Sequence, residues 1–508
     1  MKTLRLILGD QLNAEHSWFK VKDPNVLYIL MEARSETDYA PHHIQKVVGF
    51  FASMRNFADA LTSAGNNVRY FKLDDPDNLG FEKNIQNLIH AFGIDRFEYQ
   101  LPDEYRLDKI LADLSETLDC EVISVDTEHF LTERSTQSDF FAGKKSYLME
   151  SFYRSMRKKH GLLMIGDQPE GGKWNYDGAN RKKLPKSAPI PEALEFDLDV
   201  RDLVRMIRAE EVRTIGNIDP HSFKWPTSRR EALELLNYFA ENLLPLFGTY
   251  QDAMDTRGWS LYHSRLSFAL NLKMISPLTV VQRCIQEFRQ RDDIELNQIE
   301  GFVRQIIGWR EYMRGIYWAH MPEFGTMNFL KAKRKLPSYF WDGNTKMNCI
   351  KHAVTQSLDE AYAHHIQRLM ITGNFGLLAG IDPHELDRWY LGIYIDAIEW
   401  VEMPNTRGMS QFADGGIVGT KPYNSSANYV NKMSNYCSGC TYNYKEKVGE
   451  NACPFNSLYW NFYERHENEF KKNPRIGMAY RNLDRMDPEQ RNKIRDRAEW
   501  VLENLDQL

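Results

Sequence analysis

The feature that most constrains the fold is a change in the spacing of apolar residues along the chain. Up to about residue 130, short β-rich runs alternate with segments in which apolar residues recur every three to four positions. This alternation is typical of helices that connect parallel strands, so we predict a doubly wound α/β domain over residues 1–130. The predicted strands are Thr3–Gly9, Val26–Glu32, Val68–Leu73, Phe97–Leu101 and Val122–Val125, and the predicted helices are His42–Ala64, Phe81–Phe92 and Tyr105–Leu118.

After Pro226 the strand patterns fade and helical periodicity takes over. We therefore predict an α-helical domain over residues 227–508. The intervening residues 131–226 are polar and rich in Gly, Pro and Lys, which predicts a long interdomain linker. The predicted helices of the second half are Arg229–Leu246, Pro277–Arg289, Ile299–His320, Leu358–Leu378, Pro383–Val401, Pro454–Phe470 and Pro488–Leu505.

The net charge of −6 over 508 residues does not favour non-specific binding to nucleic acid. Contact with DNA must then use a local basic patch. One candidate is KAKRK (Lys331–Lys335), followed by the aromatic run Tyr339–Trp341, a mixture that suits single strands or extruded bases. A solvated face is the commoner role of such a run. No apolar run is long enough to span a membrane, and MKTLRLILGDQL is typical of a first strand rather than a signal peptide.

Four cysteines suggest a metal centre near the C-terminal end. Cys437 and Cys440 form a C-x-x-C pair, Cys453 follows, and Cys349 lies upstream. Four thiolates can complete the coordination of a zinc ion or of an iron–sulfur cluster, and the spacing of the cysteines does not distinguish the two. A redox dithiol with two buried core cysteines is the alternative.

Parallel sheets bind ligands at the carboxyl ends of their strands. Gly9, Asp10 and Gln11 lie at the end of the first predicted strand, and Glu36 follows the second. No G-x-G-x-x-G motif occurs there, so we do not expect a dinucleotide at this edge.

The helical half contains two candidate anion sites. The YHSRLS segment (Tyr262–Ser267) offers hydroxyl and backbone N–H groups at a helix start, which suit a phosphate or simply cap the helix. Farther on, Arg304, Gln305, Arg310 and Arg314 recur on one helical face, which could hold an anionic aromatic ligand or be a solvated face.

Two adjacent histidines provide a candidate proton donor. On a helix His364 and His365 would point about 100° apart, so a ligand would not meet both equally. The alternative is one packed and one exposed histidine. Downstream, the carboxylates Asp396 and Glu402 interrupt an aromatic stripe, and Arg368 is a candidate partner for them.

Taken together, these segments resemble the photolyase/cryptochrome flavoproteins, in particular the bacterial branch of iron–sulfur (6-4) photolyases. The similarity extends from LILGDQL to NACPFNSLYW, almost the whole chain. Its most specific stretches are FVRQIIGWREYMRGIYW, AYAHHIQRLMITGNF, EWVEMPN-x-x-GMSQFADGG and TKPY-x-x-S-x-NY.

The resemblance implies an α/β antenna domain joined by the linker to a helical domain that binds FAD and has a C-terminal [4Fe-4S] segment. It implies that FAD is held by His263, Ser264, Leu266, Ser267, Gln305, Trp309, Arg310, Arg368, Asp396 and Glu402. Glu402 stands where many photolyases have asparagine, which puts the neutral-radical chemistry in doubt. The other implied residues are His364 and His365 at the lesion, with His365 as the proton donor; Trp389, Tyr390 and Trp341 for electron transfer; Cys349, Cys437, Cys440 and Cys453 for the cluster; and Gly9, Asp10, Gln11 and Glu36 for the antenna 6,7-dimethyl-8-ribityllumazine.

The implied activity is blue-light-driven repair of (6-4) pyrimidine–pyrimidone photoproducts in UV-damaged DNA. Reduced FAD would supply an electron to a flipped-out lesion. A cryptochrome photoreceptor on the same scaffold is the alternative. The resemblance also implies a structural role for the cluster and a bacterial cytoplasmic monomer with no protein or membrane partner.

Overall fold

The computed structural model describes residues 1–144 and 146–508. Its N-terminal part is built on a five-stranded sheet in which every pairing is parallel. In spatial order the strands are Asn67–Phe71, Val26–Met31, Thr3–Leu6, Arg96–Gln100 and Glu121–Val125. The predicted doubly wound sheet is thus confirmed, with each strand within a few residues of its predicted bounds.

The first strand lies at the centre of the sheet, where the strand order reverses. Leu6 stands beside Ile29 on one side and Tyr99 on the other. The crossovers are the helices Ile44–Ser63, Phe81–Phe92 and Tyr105–Ser115. Such a reversal opens a crevice at the carboxyl ends of the central strands.

Strands covered by helices on both faces are rich in apolar residues, and the central strands have an apolar core. Leu4, Leu6, Ile29 and Phe97 have no exposed surface. Burying each such side chain contributes on the order of 1.5–3 kcal/mol, so the sheet is a rigid base for the loops at its edge.

The segment 131–226 is not a structureless connection. It contains the helices Thr136–Phe141, Met149–His160 and Arg201–Ala209. A two-residue strand, Thr214–Ile215, pairs with His42–His43 next to the longest helix of the α/β unit. The domain boundaries at 130 and 226 stay predictions.

The remainder is helical, as predicted, and the described residues beyond Pro226 include no named strand. Three predicted helices are wrong in their extent, since each is interrupted. Leu358–Leu378 spans a break between Glu360 and His365, and Pro383–Val401 spans a break between Ile393 and Glu399. Pro454–Phe470 is interrupted at His466. The helices are Arg229–Tyr238, Leu244–Tyr250, Ser267–Asn271, Pro277–Gln290, Leu296–Val303, Glu311–His320, Asn348–Glu360, His365–Gln367, Asn374–Ala379, Pro383–Ile393, Glu399–Met403, Ala427–Met433, Pro454–Arg465, Glu467–Phe470, Gly477–Asp484 and Pro488–Glu503.

Wider, π-helical turns join several of these helices. They include Arg304–Arg310, Arg368–Gly373 and Pro404–Ser410. Turns of this kind are rare in proteins as a whole, and those that do occur often lie at functional sites. Among the described residues, no helix combines the length and apolar character needed to cross a bilayer.

Candidate functional site

The break before His365 determines how the two adjacent histidines are presented. Ala361 adopts a left-handed conformation with φ of 51° and ends the helix Asn348–Glu360. His364 is extended, with φ of −72° and ψ of 162°, and directly precedes the next helix. The two histidines are therefore not neighbours on one helix, and the expected 100° relation does not apply. The Gln367 side chain accepts a hydrogen bond from the His364 backbone N–H (3.0 Å), which holds this corner in place.

His364 stacks on His263, one of the residues that the resemblance assigns to FAD. The ring centroids are 4.4 Å apart and the planes differ by 12°. Both ring nitrogens of His364, and Nε2 of His263, are buried without a hydrogen-bond partner in the described part of the chain. Burial lowers the pKa of His263 to about 4 and holds that of His364 well below its usual value. Buried polar atoms of this kind are normally paired, so they mark a place where a ligand can bind.

His365 is the more accessible of the two adjacent histidines. Its ring is exposed, whereas His364 is 2% exposed. Crowding by the surrounding protein, and then the charge of Arg368, nevertheless lower the pKa of His365 to about 4. The ring is therefore neutral near pH 7 in the protein alone.

Asp396 connects three elements of the helical half. Both its carboxylate oxygens accept from Nη2 of Arg368, at 3.0 and 3.2 Å, and Oδ2 also accepts from the Ser267 hydroxyl at 2.6 Å. Its backbone carbonyl accepts from the Asn271 side chain at 2.5 Å. The Arg368 guanidinium lies 3.8 Å from the centroid of the Tyr394 ring. The predicted Arg368–Asp396 pair is present, and the Ser267 hydroxyl binds Asp396 instead of capping its own helix.

The arginine face of helix 296–320 is buried, so its interpretation as a solvated face is wrong. Arg304, Arg310 and Arg314 are less than 10% exposed. Arg310 donates to the Leu270 carbonyl (3.1 Å) and to His129 Nε2 (3.2 Å), and lies 4.8 Å from the Trp400 ring centroid. Burial lowers its pKa to about 10.

The other residues assigned to FAD make local contacts. Gln305 donates to the Gly301 carbonyl (3.4 Å), and Trp309 packs against Tyr312 in its own helix. Ser264 Oγ accepts from the N–H of Leu266, which is buried. The hydrogen bonds and ring contacts thus join Ser267 to the Arg368–Asp396 pair and His263 to His364, but leave Gln305, Trp309, Ser264 and Leu266 outside these two groups.

Glu402 is a buried carboxyl on the helix Glu399–Met403. It is 7% exposed and accepts a hydrogen bond from the Thr406 hydroxyl. Burial, and then the charge of Asp387, raise its pKa well above the ordinary value. The buried Glu402 carboxyl is therefore easier to protonate than an exposed glutamate.

The residues predicted for electron transfer are only partly in contact. Trp389 and Tyr390 are buried with ring centroids 5.2 Å apart, and Tyr390 is 5.6 Å from Tyr394, the ring under Arg368. Trp341 is 41% exposed, and it is its neighbour Phe340 that meets the Trp389 ring, at 5.1 Å. Trp341 is thus placed at the surface, beyond Phe340.

The four predicted cysteines surround one cavity. Cys349 lies in the first turn of helix Asn348–Glu360, Cys453 directly precedes helix Pro454–Arg465, and Cys437 and Cys440 lie between these helices in sequence. Burial and mutual proximity raise the pKa of Cys453 to about 12 and that of Cys437 to about 11. Within residues 1–144 and 146–508, no three potential ligands converge closely enough for a single metal ion.

A separate cavity opens at the carboxyl edge of the sheet, where the strand order reverses. It contains roughly 800 Å³ of space including its open mouth, and Gly9, Asp10 and Glu36 line it together with Ala397 and Ile398 from the helical half. Gln11 does not line it, because its side chain is fully buried between the Leu8 N–H and the Gln100 carbonyl. Gly9, Asp10 and Glu36 thus lie at this cavity, whereas Gln11 supports the loop, and the assignment of all four to an antenna stays a prediction.

Several charged residues of this cavity were missed by the sequence analysis. They include Lys46, Asp103 and Glu104. Asp103 and Glu104 follow the strand Arg96–Gln100, so the same rule that predicts Asp10 could have found them. Lys46 is buried on the helix Ile44–Ser63 and donates to the Leu391 carbonyl (2.8 Å), which no sequence pattern indicates. Burial lowers its pKa to about 8, against the opposing charges of Glu104, Asp396 and Glu402.

Comparison with known proteins gives a consistent result. A family model described as deoxyribodipyrimidine photo-lyase-related protein matches residues 5–224. The chain is 41% identical to a protein named (6-4) photolyase from Agrobacterium fabrum, and 100% of both chains is covered. Among solved structures, the cryptochrome of Synechocystis sp. PCC6803 is similar with a TM-score of 0.58 at 14% identity, covering 85% of this chain and 86% of that one. A bacterial class III photolyase from Agrobacterium tumefaciens has a TM-score of 0.58 at 16% identity, covering 99% and 98%.

Proposed function

Because this chain belongs to the photolyase–cryptochrome family, we propose that it repairs (6-4) photoproducts in UV-damaged DNA with blue light. The observation that carries the proposal is the 41% identity over the whole length of a protein named (6-4) photolyase. It is supported by the stacked His263 and His364 rings and by the Arg368–Asp396 pair, which are polar groups of the kind that a cofactor and a flipped-out base would both need as partners.

The cofactor that we propose for the helical half is FAD. The fit rests on the unpartnered ring nitrogens of His263 and His364, on the unpartnered Nε of Arg310 and on the π-helical turns around them. Ser267, Arg368 and Asp396 would hold the ring system, and Ser264, Leu266, Gln305 and Trp309 would complete the binding site. When bound, reduced FAD supplies the light-driven electron. Glu402, with its raised pKa, would hold a proton close to it.

His365 is proposed as the residue that protonates the lesion. In the protein alone its pKa is about 4, so it is neutral near pH 7. Phosphates of bound DNA bring negative charge, which raises the pKa of a nearby imidazole and allows it to carry a proton. His364, stacked on His263, would then position the base rather than protonate it.

Trp389 and Tyr390 are proposed to deliver electrons from the surface to the site. Their rings are 5.2 Å apart, and Tyr390 leads through Tyr394 to Arg368. Trp341 is exposed enough to exchange electrons with solvent, but the intervening contact with Trp389 is made by Phe340.

For the cysteine cavity we propose a [4Fe-4S] cluster with a structural role. The four thiols surround a space instead of meeting at one point, which suits a multi-atom cluster better than a zinc ion. A bound cation would also favour the thiolates that burial disfavours.

For the cavity at the sheet edge we propose 6,7-dimethyl-8-ribityllumazine as the antenna, a chromophore that absorbs light. The cavity joins apolar walls from Phe50, Phe51 and Met54 to polar groups at Asp10 and Glu36, as a planar heterocycle with a polar chain would require.

Light-dependent turnover tests the proposed function. The reduced, FAD-loaded protein is mixed with an oligonucleotide that carries one (6-4) photoproduct, under blue light or in the dark, and undamaged bases are counted by chromatography. We expect repair in the light only. Trp389→Phe should slow photoreduction of the protein but leave repair unchanged after chemical reduction. Flavin-loaded protein that never restores the bases would contradict the proposal and favour a cryptochrome photoreceptor.

A further inference from the structure

A second cavity in the helical half has a strongly basic lining. It contains roughly 770 Å³ of space including its open mouth, and none of its described lining residues is acidic. Part of the lining comes from the KAKRK segment, for which a solvated face is the commoner role. The basic side chains around it are Lys331, Lys333, Arg334, Arg465 and His466.

Two arginines from distant parts of the chain converge at this cavity. The backbone of Arg334 is fixed to the loop after helix Asn374–Ala379, since its N–H donates to the Gly380 carbonyl (3.1 Å) and its carbonyl accepts from the Asp382 N–H (2.8 Å). A Cβ at Gly380 would lie 3.1 Å from Nη1 of Arg334 and 3.2 Å from Nη1 of Arg465. The two guanidinium groups are thus held side by side across a glycine.

Helix capping explains only part of this arrangement. Nη1 of Arg334 donates to the Ala379 carbonyl (3.0 Å), and Nη2 of Arg465 donates to the Leu378 carbonyl (2.7 Å). Each guanidinium has five N–H donors, so further donors remain for a ligand. The end of a helix carries only about half a negative charge, which leaves the pair of arginines with a net positive charge.

The pKa values of the two arginines indicate the same excess of positive charge. Burial lowers the pKa of Arg334. Although Arg465 is more exposed, crowding around its guanidinium and the charge of Arg334 lower its pKa to about 10. Two cations that repel each other are stabilised when an anion lies between them, and planar guanidinium groups match phosphate geometry.

We propose that the cavity bounded by Arg334, Gly380 and Arg465 is a phosphate-binding site, whose ligand is a phosphate group of a DNA strand or of a small nucleotide. The site is separate from the proposed FAD residues and does not depend on the repair activity. Lys331 and Lys333 would attract the ligand, and the paired guanidinium groups would bind it.

Titration of the full-length protein with inorganic phosphate and pyrophosphate tests the site, with calorimetry as the measurement. We expect saturable binding that is at least about tenfold weaker in Arg465→Gln, because charge-assisted hydrogen bonds are lost. Since Arg465 also caps a helix, Leu330→Glu is the second variant: it places a carboxylate in the cavity lining and leaves both arginines intact. Lys335→Gln, in the same basic segment but outside the lining, is the matched control and should bind as the parent does.

The salt dependence of binding to an undamaged DNA duplex distinguishes the two sources of phosphate. If the ligand is DNA, Arg465→Gln and Leu330→Glu should each reduce the slope of log K against log salt by about one unit. If the slope is unchanged while phosphate binding is lost, the ligand is a small nucleotide. The proposal is overturned if the parent protein binds neither phosphate nor pyrophosphate and no variant changes the slope, or if Lys335→Gln weakens binding as much as Arg465→Gln.

Discussion

His365 is a proposed proton donor that has no proton to give in the isolated protein. Its pKa of about 4 lies below its ordinary value, so the fraction that is protonated rises only as the pH falls toward 4. The donor role therefore requires bound DNA to raise this pKa.

We predict that His365→Ala abolishes repair without loss of flavin. The proton donor is removed, whereas the Arg368–Asp396 pair and the His263–His364 stack stay in place. Repair turnover and flavin absorbance are measured on the same sample. His221→Ala, which changes an exposed histidine outside the site, is the control. Repair by His365→Ala at the parental rate would show that the proton comes from elsewhere.

At the scale of residues, the sequence predicts the chemical role of a side chain better than it predicts which residues surround that side chain in the fold. Asp396 and Arg368 could be paired from sequence, because a buried carboxylate needs a cation. The burial of Arg310 and Arg314 could not be predicted from sequence, because their partners Asn271 and Asp103 lie far away in the chain. Gln11 shows the same difficulty: its position at a strand end is right, but its side chain turns inward to bind backbone.

At the scale of elements, the important features are interruptions. The break at residues 361–364 sets His364 outside the following helix, and the break at 394–398 carries Asp396. Helical periodicity runs through both breaks, because the apolar residues continue to face the core. Pattern alone therefore predicts single helices. The left-handed Ala361 and the extended His364 make the first break, and the extended Tyr394 and Ile398 make the second.

The elements around the cysteine cavity provide a second prediction. Cys440→Ser replaces a thiol with a weaker iron ligand, so we expect loss of iron and a lower melting temperature. Iron content, visible absorbance and thermal unfolding are measured together. Cys120→Ser changes a partly buried cysteine outside the cavity and should alter none of them. A soluble Cys440→Ser protein without iron and with the parental melting temperature would contradict the structural role.

At the scale of the whole molecule, His43 links the α/β unit to the helical half. One ring nitrogen, Nδ1, accepts from the Gln45 N–H (3.1 Å), and Nε2 donates to the Leu358 carbonyl (2.8 Å). The ring has no exposed surface, and burial lowers its pKa to about 4.

This link makes stability depend on pH. The pKa is lower in the folded chain than the ordinary 6.5, so the unfolded chain binds the extra proton. The contribution of the neutral His43 ring to the free energy of unfolding is fully present above about pH 6.5. It is lost as the pH falls toward 4, and the loss amounts to about 3 kcal/mol once His43 of the unfolded chain is fully protonated. We predict that His43→Gln reduces proton uptake on unfolding near pH 5 by about one proton. Chemical denaturation across this pH range measures it, with His221→Gln as the control. An unchanged pH slope in His43→Gln would contradict the role assigned to His43.

The cavity at the sheet edge and the Arg368–Asp396 pair share one stretch of backbone. Ala397 and Ile398 line the cavity, and Asp396, the residue before them, binds Arg368. If both chromophores bind where we propose, three consecutive residues would contact both binding sites. The efficiency of excitation transfer between the chromophores would then depend on the conformation of this one stretch of backbone.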